Sequence, residues 1–140
     1  MNKSIYPCLW FDGQAKAAAD YYCSIFKNST ILNVTPMVVI FELNSTKFMA
    51  LNGGPEYKFT EAISFVVNCE TQEEIDKYWN KLTEGGQEGK CGWLKDKYGI
   101  SWQIVPEILG KLMSDPEKAP KVMYAFMQMK KFDIEKLLKA

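Results

Sequence analysis

The sequence predicts an α+β fold: two β-α-β-β-β modules followed by C-terminal helices. Three observations carry that prediction. Strand-like and helix-like stretches recur in the same order in the two halves of the chain. The two amphipathic helices superpose at one offset of 57 residues, which maps Ala18 to Ile75, Tyr21-Tyr22 to Tyr78-Trp79 and Ile25 to Leu82. A clean alternation closes the second half, with Ile100, Trp102 and Ile104 on one face and Ser101, Gln103 and Val105 on the other. A shared order of elements with an aromatic pair at a fixed offset marks duplication. Each half then needs the other to cover its sheet.

The elements follow from local pattern. Ile5 to Phe11 reads as an apolar strand, broken by Asp12-Gly13. Gln14 to Phe26 places Ala15, Ala18, Ala19, Tyr22, Ile25 and Phe26 on one helical face, and Asn28-Ser29 ends it. Thr30 to Thr35, Met37 to Leu43 and Lys47 to Leu51 are rich in β-branched and apolar residues and read as strands. Asn44-Ser45-Thr46 supplies a hairpin turn, and Asn52-Gly53-Gly54-Pro55 a breaker in which Asn52 serves turn chemistry. Ala62 to Val67 opens the second module as a strand. Thr71-Gln72-Glu73-Glu74 is a capping box, and the helix behind it buries Ile75, Tyr78, Trp79 and Leu82. Glu84-Gly85-Gly86 ends that helix, and Lys90 to Lys95 and Ile100 to Val105 are strands joined at Lys97-Tyr98-Gly99. Asp96 in this turn is placed to bond its own backbone. In the tail, Asp115-Pro116-Glu117 begins a helix carrying Val122, Met123, Phe126 and Met127, and Phe132-Asp133-Ile134 opens a short last one.

At 140 residues the chain is one domain, with module one at about 1–55, module two at about 60–106 and a helical tail at about 107–140. Seventeen basic and 17 acidic residues cancel, and no basic stripe stands out, which argues against nucleic acid as a partner. No apolar run approaches the ~18 residues of a membrane span. The N-terminal residues enter a strand pattern with no signal-peptide core, so a cytoplasmic location is expected. Cys8, Cys23, Cys69 and Cys91 form no C-x-x-C pair, which excludes zinc-ribbon and dithiol motifs and leaves four reduced thiols. Cys91, flanked by glycine and lysine, is the candidate for a reactive one.

Several stretches together resemble a known family. Leu9-Trp10-Phe11-Asp12-Gly13-Gln14-Ala15, Asn52-Gly53-Gly54-Pro55, Cys91 to Gly99, Ser101 to Pro106, and Val122-Met123 with Met129-Lys130-Lys131 are similar to the PhnB-like branch of the vicinal-oxygen-chelate (glyoxalase/bleomycin-resistance) superfamily, a branch often labelled 3-demethylubiquinone 3-methyltransferase-like. The resemblance implies cupped half-barrel sheets, a shared cavity and a homodimer. It also implies metal-ligand positions on the first and last strands of each module, here Ile5, Ala50, Ala62 and Gln103, with Ala50 the counterpart of Gln103. Three of these are aliphatic and the chain has no histidine, so no metal and no cofactor are expected, and histidine acid–base catalysis is excluded. A methyl-donor nucleotide would need a glycine-rich strand-to-helix turn, and neither glycine pair supplies one.

The candidate ligand-binding residues are Gln103, Ser64, Ser101, Trp93, Cys91 and Glu42. Gln103 is either a pocket residue or an amide bonded to a neighbouring strand. Ser64 shares a face with Ala62, and Ser101 with Gln103, whereas Trp102 on the opposite face is core. Trp93 is either a cavity wall or core. Glu42 is an acid within the first sheet, facing either a cavity or an outer surface. The reading is a metal-independent protein that binds a small, mainly apolar organic molecule. The competing readings are an enzyme on an aromatic or quinone-like compound, using Glu42, Cys91 or a tyrosine, and an interaction module. The methionines of the tail, adaptable in shape, suit either packing on the chain's own sheet or a dimer contact.

Overall fold

A computed structural model describes residues 4–140. The chain divides into two compact units, Met1–Lys58 and Phe59–Ala140. The first contains β1 (Cys8–Phe11), α1 (Ala15–Ile25), β2 (Thr30–Val34), β3 (Val38–Leu43) and β4 (Thr46–Asn52). The second contains β5 (Ser64–Cys69), α2 (Gln72–Thr83), β6 (Gln87–Glu88), β7 (Trp93–Lys95) and β8 (Ser101–Pro106). Three tail helices follow, α3 (Ile108–Met113), α4 (Ala119–Met127) and α5 (Ile134–Leu138). The fold is α+β, with two β-α-β-β-β modules and two open four-stranded sheets, ordered β1-β4-β3-β2 and β5-β8-β7-β6. In each, the first and last strands pair in parallel and the remaining neighbours are antiparallel.

In the first unit, α1 buries Ala15, Ala18, Ala19, Tyr22 and Ile25 against the sheet. Four of its first five residues are alanine, and small side chains let the helix lie close to the strands. The sheet answers with Val39, Phe41, Leu43, Phe48 and Ala50, and the Phe41 ring lies 6.4 Å from Tyr22 and 5.4 Å from Phe48. Burial of side chains of this size contributes about 1.5–3 kcal/mol each. Asn52 corrects the expectation of simple turn chemistry. Its Oδ1 accepts from the Ala15 amide at 2.9 Å and its Nδ2 donates to the Pro36 carbonyl at 3.1 Å. It therefore caps α1, whose own N-cap residue Gln14 makes no side-chain cap bond.

In the second unit, Thr71 and Glu74 complete the predicted capping box. The buried face of α2 (Ile75, Tyr78, Trp79, Leu82) packs on β5, β7 and β8. Ala18, Tyr22 and Ile25 are buried like their counterparts Ile75, Trp79 and Leu82, so the offset of 57 holds for the helices.

Several boundaries differ from the sequence reading. β1 begins at Cys8, not Ile5, because Pro7 has no amide to give the ladder, and Ile5 is fully exposed. β5 begins two residues after Ala62, because Thr60 holds a turn through its carbonyl to Ile63 and its hydroxyl to the Ala62 amide. Lys90–Lys95 is not a continuous strand: Cys91 and Gly92 take φ of +57° and +82°, and Lys90 accepts from Trp93 at 3.0 Å to close a turn. β6 and α3 were not anticipated; each is short, and Gly110 weakens the helical pattern of α3. Asp115 caps a turn at Glu117 and Lys118, so α4 starts only at Ala119. The tail groups with the second unit and buries Leu112, Val122, Phe132 and Leu137, so much of its apolar surface packs within the chain.

Candidate ligand-binding face

The alternation of β5, β7 and β8 divides side chains between two faces. Phe65, Cys69, Leu94, Trp102 and Ile104 share the parity that faces α2. Ser64, Val66, Trp93, Lys95, Ser101, Gln103 and Val105 share the other. On that other face the register sets Ser101 between Ser64 and Lys95, and Gln103 between Val66 and Trp93. The Gln103 amide nitrogen donates to Ser64 Oγ at 2.9 Å. The amide nitrogen of Gln103 thus bonds the neighbouring strand, one of the two alternatives open to it. Trp93 lies away from the helix-side core and lines a pocket of about 140 Å³.

That pocket is also lined by Ser101, Lys95, Glu61 and Gln87. Ser101 is 1 % exposed, and among the described residues its hydroxyl is the one buried side-chain oxygen or nitrogen without a hydrogen-bond partner. A buried hydroxyl left unsatisfied costs about 1–3 kcal/mol. Lys95 forms an ion pair with Glu61 at the pocket, and the hydrogen bond from Lys95 holds the Glu61 carboxyl below its usual range. Glu88 also lines the pocket, and its Oε2 accepts from Trp79 Nε1 at 3.3 Å, so the rim carries two carboxylates and one lysine. Behind β8, Asp96 fixes the hairpin. Its Oδ1 accepts from the Tyr98 and Ile100 amides at 2.8 and 3.1 Å, and its Oδ2 from Trp102 Nε1 at 2.9 Å. Gly99 completes the turn at φ +89°.

Ser64, Ser101, Gln103 and Trp93 are therefore neighbours on one face. Cys91 and Glu42 are placed elsewhere. Cys91 lies in the left-handed turn before β7, and its amide donates to the Met129 carbonyl at 2.8 Å. Glu42 lies on β3 of the first unit, opposite Lys47 and Thr30. Lys95 and Glu61 were missed by the sequence reading. The parity of Lys95 with Trp93 could have revealed the first; nothing in the pattern marks Glu61.

The alignment of Ala50 with Gln103 needs correction. Ala50 is fully buried on the α1 side of its sheet, whereas Gln103 points to the side away from α2. A shift of one residue along a strand reverses the face. The donor set does not fit a divalent metal. The chain has no histidine, the sheet face offers one amide and two hydroxyls, and no group of three or more His, Cys, Asp or Glu assembles among the described residues. The turns from strand to helix carry only Gly13 in the first unit and no glycine in the second, so they do not form the cradle of a methyl-donor nucleotide either. No helix among the described residues is long and apolar enough to cross a membrane.

Comparison with known proteins adds the following. A sequence model of the family described as 3-demethylubiquinone-9 3-methyltransferase matches residues 3–105. The tail motifs Val122-Met123 and Met129–Lys131 thus lie outside the matched residues. A solved structure from Bacillus cereus, described as a putative 3-demethylubiquinone-9 3-methyltransferase and PhnB protein, is 33% identical, with TM-score 0.70, over 74% of this chain and 99% of that one. The fosfomycin resistance protein FosX of Listeria monocytogenes, solved with Mn(II) and sulfate, is 13% identical over 86% of this chain and 97% of its own, with TM-score 0.58. A glyoxalase-related enzyme from Fulvimarina pelagi is 14% identical over 77% of this chain and 91% of its own, with TM-score 0.55. These last two show a shared fold. A comparison with curated proteins gives no match.

Proposed function

Because the chain belongs to the family described as 3-demethylubiquinone-9 3-methyltransferase, as a PhnB-like member of the vicinal-oxygen-chelate superfamily, we propose that it binds a small organic molecule without a metal ion. The site is the β5–β7–β8 face away from α2. The observation that carries this reading is the Ser101 hydroxyl, buried and unsatisfied at a pocket walled by Trp93. Such a group gains a hydrogen bond once a small shift of the pocket wall lets a ligand oxygen or nitrogen reach it, and Trp93 supplies apolar contact area. The pocket is small against the ~300–1,000 Å³ of ordinary ligand sites, so it suits a compact molecule or the buried end of a larger one. With Lys95 paired to Glu61 and Glu88 beside them, the rim disfavours an anion, so a neutral ligand is the better fit.

The protein acts as a homodimer in the cytoplasm in this reading. Met123, Tyr124, Met127 and Leu138 of the tail are large apolar side chains on the surface, which supports a contact with a second copy.

A thermal-shift screen over quinones, aromatic acids, antibiotics and divalent metals tests the proposal. A compound that binds the native state raises the melting temperature by mass action. The expected result is a rise with a neutral organic compound that shrinks in Ser101→Ala and in Trp93→Ala, and no rise with metals. A stoichiometric metal effect would sink the metal-free reading. Turnover of a quinone or aromatic compound would replace binding with catalysis.

A further inference from the structure

The segment from Met129 to Asp133 leaves α4 and crosses the second unit as a strap before α5 begins at Ile134. It is held on two sides. On one side, the Cys91 amide donates to Met129 and the Gly92 amide to Lys130, both at 2.8 Å. On the other, Gln72 at the start of α2 clamps the strap's backbone. Its Nε2 donates to the Phe132 carbonyl at 2.9 Å, and its Oε1 accepts from the Ile134 amide at 2.8 Å. Lys131 pairs with Asp76 at 2.8 Å on the same helix. Between these ties the Phe132 side chain is 2 % exposed.

Gly92 is where strap and sheet meet. Its φ is +82°, and a Cβ there would collide with the Phe132 ring and stand 2.8 Å from the Ile104 carbonyl oxygen. Its amide belongs to the strap, while its carbonyl accepts from Ile104 of β8 at 2.8 Å. The next residue is Trp93, which lines the pocket and shares the parity of the face away from α2. Trp93 has no long strand behind it to fix its position, because β7 has only three residues.

We infer that the strap is a positioning device for the ligand site. Phe132 and the two bonds to Cys91 and Gly92 set the backbone from which Trp93 projects, so docking of the strap and the shape of the pocket are coupled. The consequence for ligand affinity rests on the functional reading above; the coupling itself does not. By linkage, whatever loosens the strap weakens the pocket wall, and a ligand held by Trp93 tightens the strap by the same factor.

The test uses the full chain. Gln72→Ala removes both clamp bonds. The expected result is exchange of the Cys91 and Gly92 amides about tenfold faster, with Trp93 emission moved to longer wavelength. Phe132→Ala gives a larger change, and Phe132→Leu recovers most of it. Repeating the spectra in a Trp93→Phe background removes the change and so assigns it to that ring among the four tryptophans. The inference is overturned if Gln72→Ala frees the strap amides while the Cys91, Gly92 and Trp93 signals stay at wild-type values, or if the emission change survives in Trp93→Phe. Should Phe132→Ala not fold, Gln72→Ala carries the test alone. No readout needs a ligand, so a silent compound screen defeats the functional reading and leaves the coupling standing.

Discussion

At Asp96 one carboxylate organises a whole hairpin. It is 3 % exposed and receives three hydrogen bonds, two from its own turn and one from Trp102. Asp96→Ala should lower the unfolding free energy by about 3 kcal/mol, read by urea denaturation with an unchanged m-value. Asp96→Asn should lose less, because one oxygen still serves the turn. Half of this arrangement is legible in the sequence: an aspartate three residues before a glycine announces a turn. The bond to Trp102 is not, since it depends on where the return strand sets an indole. Ser101 presents the reverse case. Its alternation with Gln103 is plain in the sequence, but a missing partner can be seen only with every neighbour in place. Ser101→Ala should raise the unfolding free energy by about 1 kcal/mol while lowering ligand affinity. A loss of stability in that variant would mean the hydroxyl is satisfied and would remove the main support for the proposed site. Cys69 illustrates an inert thiol: burial pushes its pKa up to about 12, with Glu74 adding to the rise.

The two module helices begin by different means. α2 carries its own capping box, readable as Thr71 followed three residues later by Glu74, and Thr71→Ala should cost about 1 kcal/mol in the same denaturation assay. α1 is capped by Asn52, 37 residues away in sequence, and no local pattern announces such a partner. Tertiary geometry likewise decides β7, where strap bonds to Cys91 and Gly92 replace the ladder that the apolar pattern implies. The strap's ion pair responds to pH in a known direction. Hydrogen bonds from Lys131 and Gln72 hold the Asp76 carboxyl below the usual aspartate range. With the folded pKa below the unfolded one, this tie is complete above the ordinary aspartate pKa and is lost as pH falls through the depressed value. A carboxyl NMR titration should find that low midpoint, and Lys131→Met should move it upward.

The paired-module fold is open to a reading of pattern because duplication repeats its evidence: the element order and the amphipathic helix each occur twice, related by one offset. Matching the strands of the two modules demands more. Helices tolerate a shift of one residue with partial loss of overlap, whereas a strand reverses its faces, and so Ala50 was aligned with Gln103 although the two point to opposite sides. The tail divided in the same way, with Val122, Phe132 and Leu137 inside the second unit and Met123, Tyr124 and Met127 outside. Sedimentation at micromolar concentration should give twice the chain mass; a monomer would remove the dimer proposal. The parallel pairing of first with last strand in each unit also has a meaning in time. Neither β1 nor β5 can find its neighbour until β4 or β8 has been made, so each unit must close a long loop before its sheet gains its parallel edge ladder. On the ribosome, β1 can meet β4 as soon as Asn52 emerges, while Gly92 must wait forty residues for Phe132. The Trp93 wall is thus among the last features of the nascent chain to be set, and a stalled or truncated product would carry a finished first sheet beside an unfinished pocket.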